Sequence, residues 1–216
     1  MSIDAIIFDL DGTLLDSIGD IAACGNEALA SLGFPSLTVD EFRIHVGDGM
    51  VGLARKVLPN GNRDEATVAK FLEIYRALYS RKWNQTTVPY DGIEDLLEKL
   101  RARGIRLAVL SNKRDEFTKV CVDRLLPAGI FQEVRGESEI TPQKPDPQGA
   151  LRVAESLGVE PQRCLFVGDS EIDAETARRA GMEFVAVEWG YRSRTELEKA
   201  GAKKLVSAPN QLLEYV

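Results

Sequence analysis

Ala5-Ile6-Ile7-Phe8-Asp9-Leu10-Asp11-Gly12 is the stretch that decides the architecture. Its apolar half is rich in strand formers and stops abruptly at two carboxylates and a glycine, as a fully buried parallel strand does when it meets a polar loop. Similar runs recur at 106–110 (Arg-Leu-Ala-Val-Leu), 165–167 (Leu-Phe-Val) and 184–187 (Phe-Val-Ala-Val), with weaker candidates at 132–134 and 204–206. Between them, Ile93, Leu96, Leu97 and Leu100 stand at helical spacing before Gly104, and a second helical pattern over 173–180 ends at Gly181. Strand alternating with helix predicts an α/β fold with a doubly wound parallel sheet.

One stretch breaks the alternation. Ile18, Ile21, Ala22, Leu29 and Leu32 make one amphipathic helix, closed by Gly33 and Pro35, and 39–44, 50–58 and 66–79 also read as helical. So much helix between the first and second strands far exceeds an ordinary connection. The expected organisation is therefore a core of residues 1–14 and 87–216 with an inserted helical cap domain at 15–86, hinged at 15–17 and 88–92.

With 216 residues the chain can bury roughly 70% of its unfolded surface without a staple. Hydrophobic residues at 44%, charged residues at 28%, and no apolar run near the ~20 residues of a membrane span describe a globular chain that does not enter a bilayer. Met1 to Asp4 carries neither basic leader nor apolar signal core, so a cytoplasmic location is the default expectation. A net charge of -7 without a basic stripe argues against nucleic acid as a partner. The cysteines, Cys24, Cys121 and Cys164, are odd in number and widely spaced, which predicts buried free thiols. A monomer or weak homodimer is expected.

In an open parallel sheet, ligands sit beyond the carboxyl ends of the strands. Here those positions hold Asp9, Asp11 and Thr13 after the first strand, Ser111, Asn112 and Lys113 after the second, and Asp169, Ser170 and Asp173 after 165–167; Lys144 lies in the Pro-rich loop 141–147. Converging carboxylates repel unless a cation joins them. Carboxylates without nearby histidine or cysteine suit Mg²⁺, with Asp9, Asp169 and Asp173 as ligands. Asp9 and Asp11, two apart on an extended strand end, point the same way; either could attack phosphorus while the other moves protons. Lys144 would neutralise phosphoryl oxygens, and Ser111 with nearby backbone N–H groups would bind the transferring group. The expected substrate is thus a small anionic phosphate ester.

Other chemistries fit less well. Gly47-Asp48-Gly49-Met50-Val51-Gly52 matches G-x-G-x-x-G, yet no buried strand precedes it, which rejects a nicotinamide site and leaves a cap loop whose Gly47, Asp48 and Gly49 face substrate. A single histidine, His45, excludes a three-histidine zinc site, and no G-x-S-x-G elbow is present.

By this point the ordered motifs resemble those of the haloacid dehalogenase-like phosphohydrolases. The segment from Phe8 to Ser17 is similar to the first motif, Leu110-Ser111-Asn112-Lys113 to the second, Lys144-Pro145-Asp146-Pro147 to the third and Val167 to Asp173 to the fourth. Within the family, Val46 to Met50 and Trp189-Gly190-Tyr191-Arg192 resemble phosphoglycolate phosphatases. The resemblance implies Asp9 as nucleophile, Asp11 as general acid/base, Ser111 and Lys144 as phosphate ligands, and Mg²⁺ on Asp9, Asp169 and the Asp11 carbonyl, with Asp173 in support. Ile172 and Ser111 depart from the family pattern, which often has a polar residue and a threonine there. It implies 2-phosphoglycolate as substrate, with pyrophosphate and sugar phosphates open. The rivals are a phosphomutase like β-phosphoglucomutase, a dehalogenase, and a non-enzymatic phospho-aspartate switch.

Overall fold

The computed structural model describes residues 2–216. Strand β1 (Ala5–Phe8) leads to the short β2 (Leu15–Asp16), after which come helices α1 (Ile18–Ser31), α2 (Val39–His45), α3 (Gly49–Val57) and α4 (Glu65–Lys82). The chain returns through β3 (Val88–Pro89) and then alternates: α5 (Ile93–Ala102), β4 (Arg106–Arg114), α6 (Asp115–Leu125), β5 (Glu133–Glu137), α7 (Gln148–Leu157), β6 (Cys164–Gly168), α8 (Glu171–Ala180), β7 (Glu183–Val187), α9 (Arg194–Lys199) and β8 (Leu205–Val206). Two units result, one of Met1–Leu15 with Pro89–Val216 and one of Asp16–Val88.

The first unit is a doubly wound α/β fold. Its six strands lie in the order β5-β4-β1-β6-β7-β8, all parallel. Every residue of β1 and β6 is buried, as expected where helices cover both faces of a parallel sheet. On one face Ala5, Ile7, Ala108, Leu110, Cys164 and Phe166 pack against Val153 and Leu157 of α7 and Ala177 of α8. Ile6 and Phe8, of opposite parity, are fully buried on the other face. Register then does the work of placement. Phe8 pairs with Val109 and with Val167, so β1, β4 and β6 reach their polar ends at one level.

Several boundaries differ from the sequence expectation for identifiable reasons. The second strand does not stop at Leu110 but runs on to Arg114, its pairing with β5 shifting register between Leu110 and Arg114. Polar Ser111, Asn112 and Lys113 hid this extension. Helix α8 begins at Glu171, two residues before the expected Asp173, because Ser170 and Asp173 form a capping box. Helices α6 and α7, not delimited by the apolar pattern, bury Cys121 and Val122, and Ala150, Val153 and Leu157. All three cysteines are free and buried, and burial pushes their thiols up to about 11. No helix among the described residues is long and apolar enough to cross a membrane.

In the second unit α1 packs on α4, and Gly25 of α1 leaves room for the fully buried ring of Phe42 from α2. The two ends of the unit are stapled by Asp20, only 3% exposed. Its carboxylate accepts hydrogen bonds from the backbone N–H groups of Thr86 (3.0 Å) and Thr87 (2.9 Å) and from both threonine hydroxyls (2.9 and 2.7 Å). Burial alone would raise its pKa; these donors outweigh it and hold the carboxyl below the ordinary value. Replacing Asp20 with alanine strands two backbone donors and is expected to cost about 3 kcal/mol, with Asp20→Asn losing less because one acceptor oxygen remains. Denaturant unfolding measures this, and a loss within experimental error for Asp20→Ala would contradict the staple.

Candidate active site

Asp9 follows β1 directly, its backbone N–H bonded to the Val167 carbonyl of β6 at 2.9 Å and its Oδ1 accepting from Leu10 N–H at 2.7 Å. Asp169 follows β6, and Asp173 lies one turn on in α8. Oxygen atoms of these three carboxylates lie within 4.8 Å of one another, in a cluster without histidine or cysteine. One cation is set among them. Lys144 Nζ sits 2.8 Å from Asp9 Oδ1 and 2.7 Å from Asp173 Oδ1, at 5% exposure, with the Phe166 ring 5.7 Å away.

Each partner is held from behind. Lys144 N–H donates to Asn112 Oδ1 at 2.7 Å and the Lys144 carbonyl accepts from Asn112 Nδ2 at 3.0 Å, so the loop after β5 is tied to the end of β4. The other oxygen of Asp173 accepts from Ser170 N–H and Ser170 Oγ, at 3.2 and 2.5 Å. Asp169 Oδ2 accepts from Tyr191 N–H at 2.6 Å, and Oδ1 from Thr13 Oγ1 at 3.3 Å. Trp189 completes this layer by donating its indole N–H to the Thr13 carbonyl at 3.0 Å.

Glycines make the close packing possible. A Cβ on Gly12 or Gly190 would collide with Asp169, and one on Gly168 with Asp173. Gly12 also takes φ 88°, a conformation open to glycine at little cost, and this turns the chain after Asp11. Asp11 itself, half-buried, is gripped by Lys113: Nζ lies 2.8 Å from each carboxylate oxygen. Ser111 Oγ accepts from Lys113 N–H at 3.2 Å.

The structure therefore gathers Asp9, Asp11, Thr13, Ser111, Asn112, Lys113, Lys144, Asp169 and Asp173 within the α/β unit. Gly47, Asp48 and Gly49 belong to the helical unit, between α2 and the start of α3, where Asp48 pairs with Lys56. Asn112, expected to touch substrate, has both ends of its amide on the Lys144 backbone. Trp189, Gly190 and Tyr191 stand out in the sequence only as a family resemblance without a role; they contribute through an indole N–H, an absent Cβ and a backbone N–H. The Ser170 cap was readable from Ser-x-x-Asp.

Three carboxylates around one ammonium are short of positive charge. Burial, then the neighbouring Asp173, pushes Asp9 up to about 7, although Lys144 acts in the opposite sense. Burial, then Asp173 and Asp9, raises Asp169 to about 8 against the Tyr191 hydrogen bond. The same carboxylates hold the Lys144 ammonium above its ordinary pKa despite burial. Oxygen-only donors with a deficit of positive charge fit a hard divalent cation, which Asp9, Asp169 and Asp173 would hold.

Carboxylates after β1 and β6 and in the first turn of α8, a lysine bridging Asp9 and Asp173, and a polar β4 terminus define a hydrolase of the haloacid dehalogenase-like class. Residues 6–187 match that family, and the chain belongs to it. Among relatives, the phosphoglycolate phosphatase of Aquifex aeolicus is 38% identical over 186 residues, covering 86% of this chain and 85% of its own. A crystal structure from Lactobacillus delbrueckii subsp. bulgaricus, itself assigned provisionally as a phosphoglycolate phosphatase, superposes with TM-score 0.94 at 33% identity, over 99% of this chain and 98% of that one. A β-phosphoglucomutase structure from Clostridium difficile, at 22% identity and TM-score 0.77 over 97% and 93% of the two chains, shares the fold alone.

The raised acids set a sign for the metal-free protein. Between the unfolded carboxylate range and about 8, the folded state binds more protons than the unfolded state, so stability from Asp9 and Asp169 is complete at low pH and is lost as pH rises through about 7 to 8. A divalent ion competes with those protons. Melting temperature in chelator should fall from about pH 5 to about pH 8, and the gain on adding Mg²⁺ should grow over that interval. A gain independent of pH would contradict it.

Proposed function

We propose that the chain is a Mg²⁺-dependent phosphatase that hydrolyses a small phosphate monoester through an aspartyl-phosphate on Asp9. The observation that carries this reading is the buried cluster itself, with Lys144 Nζ 2.8 Å from Asp9 and 2.7 Å from Asp173. A carboxylate oxygen of Asp9 attacks phosphorus, the bond to the ester oxygen breaks, and Asp11 protonates the departing oxygen. Asp11 then takes a proton from water as the water attacks phosphorus, releasing phosphate and restoring Asp9. Lys144 and the polar end of β4 at Ser111 stabilise charge on the transferring oxygens, while Asn112 fixes the loop that carries Lys144. A bound Mg²⁺ would supply charge neutralisation for the phosphoryl oxygens and for Asp9 and Asp169 together.

Asp9 is the better nucleophile of the two N-terminal acids because it is the one in the cluster, whereas Asp11 stands against Lys113. The substrate of choice is 2-phosphoglycolate, supported by the name its Aquifex relative carries. In this reading residues 15–86 act as a cap that selects the leaving group, with Gly47, Asp48 and Gly49 as its candidate substrate contacts. Asp11 would add its backbone carbonyl to the metal set, and the enzyme would work in the cytoplasm as a monomer or weak dimer. The mutase alternative has only the fold behind it.

Phosphate release from a panel of small esters, with Mg²⁺ or with chelator, tests the proposal. Turnover should require the metal, rank 2-phosphoglycolate first, and fall by roughly 10⁴-fold or more in Asp9→Asn, the scale seen when a nucleophile is removed. Turnover that survives Asp9→Asn would overturn the assignment, and release without metal would overturn the cofactor.

A further inference from the structure

The ion pair between Lys113 and Asp11 stands apart from the metal cluster and has a definite geometry. Lys113 Nζ is equidistant from the two oxygens of Asp11, 2.8 Å from each, and the side chains are 7% and 13% exposed. The backbone beneath the lysine is fixed on both sides: its N–H donates to Ser111 Oγ at 3.2 Å, and its carbonyl accepts from Thr118 Oγ1 at 3.1 Å. Gly136 of β5 keeps this passage open, since a Cβ there would press on the Lys113 carbonyl and the Asp115 backbone. Lys113 also stands in the stretch of β4 where pairing with β5 shifts register, so the strand end is shaped locally and not by an unbroken ladder.

This arrangement separates the two lysines of the site. Lys144 serves Asp9 and Asp173, while Lys113 holds Asp11, a carboxylate just before the turn at Gly12. A carboxylate held by both oxygens has its plane and its direction set. With both oxygens on the ammonium Asp11 is ionised, the form that takes the proton of the attacking water; in the protonated form one oxygen stays on Lys113 while the other carries the proton, aimed within hydrogen-bond reach of the leaving oxygen. An ammonium that holds both oxygens of Asp11 is a poor substrate ligand, since taking hold of an anion would mean giving up a largely desolvated ion pair.

We propose that Lys113 is the positioning residue of Asp11: it aims the Asp11 carboxylate for proton transfer to the leaving group instead of gripping the substrate. The inference rests on the phosphatase reading above and refines it. Its consequence is selective. Esters with a poor alkyl leaving group need protonation as the bond to phosphorus breaks, whereas an activated aryl ester such as p-nitrophenyl phosphate does not. Loss of Lys113 should therefore weigh on kcat/KM, which reports the leaving-group step, more in the first class than in the second.

The test compares wild type, Lys113→Met, Lys113→Arg, Asp11→Asn and the double variant Lys113→Met/Asp11→Asn on an alkyl phosphate and on p-nitrophenyl phosphate, after thermal melts confirm folding. The ratio of alkyl to aryl kcat/KM should drop about tenfold or more in Lys113→Met, a part of the roughly 10²- to 10⁴-fold that a positioned proton donor contributes. Lys113→Arg should recover part of that ratio. The double variant should show no further drop beyond Asp11→Asn, as expected of residues acting as one unit. An unchanged alkyl-to-aryl ratio of kcat/KM in Lys113→Met would overturn the proposal, and so would losses that add in the double variant. Wild type that releases phosphate from neither ester, or Asp9→Asn that still releases it from the aryl ester, would instead bring down the parent reading.

Discussion

One ammonium, Lys144 Nζ, lies between Asp9 and Asp173 in a place almost closed to water, and the rest of the site is arranged around it. Burying carboxylates side by side opposes their charged forms. The lysine stabilises two of them directly, yet burial, with the neighbouring carboxylates, leaves Asp9 and Asp169 raised to about 7 and 8. That residual deficit is the physical basis for expecting a divalent cation there. It also explains why so many other groups converge: Asn112 holds the lysine's backbone, Ser170 takes the second oxygen of Asp173, and Tyr191 N–H takes one oxygen of Asp169.

Bringing carboxylates this close needs missing volume as well as charge. Gly12, Gly168 and Gly190 each stand where a methyl group would strike an aspartate. Parallel register supplies the other half of the construction, because Phe8, Val109 and Val167 are level in the sheet and the polar residues begin just beyond them. The buried strands thus serve as a measured platform. Burial of β1 and β6 on both faces gives that platform the rigidity that a site held to a few tenths of an ångström requires.

How much of this could be read in the sequence follows from the range of each interaction. Apolar runs of strand formers ending at Asp9 and Asp169 were legible because a doubly covered parallel sheet demands them, and the long helical stretch after β1 was legible because it breaks the alternation. The polar extension of β4 through Lys113 was not, since Ser-Asn-Lys-Arg has no strand signature and its conformation comes from tertiary bonds. The identity of the carboxylates and the pairing of Lys144 with Asp9 were visible; most other partners were not. Asp11 meets Lys113 across 102 positions, Lys144 meets Asn112 across 32, and Asp169 meets a backbone N–H of Tyr191 across 22. A backbone donor leaves no trace in residue type, and a glycine needed for its absent Cβ looks like any other glycine.

The central claim is that Asp9 takes the phosphoryl group, and the most direct measurement is to look for it there. Acid quenching of the enzyme during turnover of 2-phosphoglycolate with Mg²⁺, followed by peptide mapping by mass spectrometry, should find a phosphorylated peptide with the modification on Asp9, absent when substrate is omitted. Steady turnover with no phosphorylated peptide, or with the group on any other residue, would contradict the account.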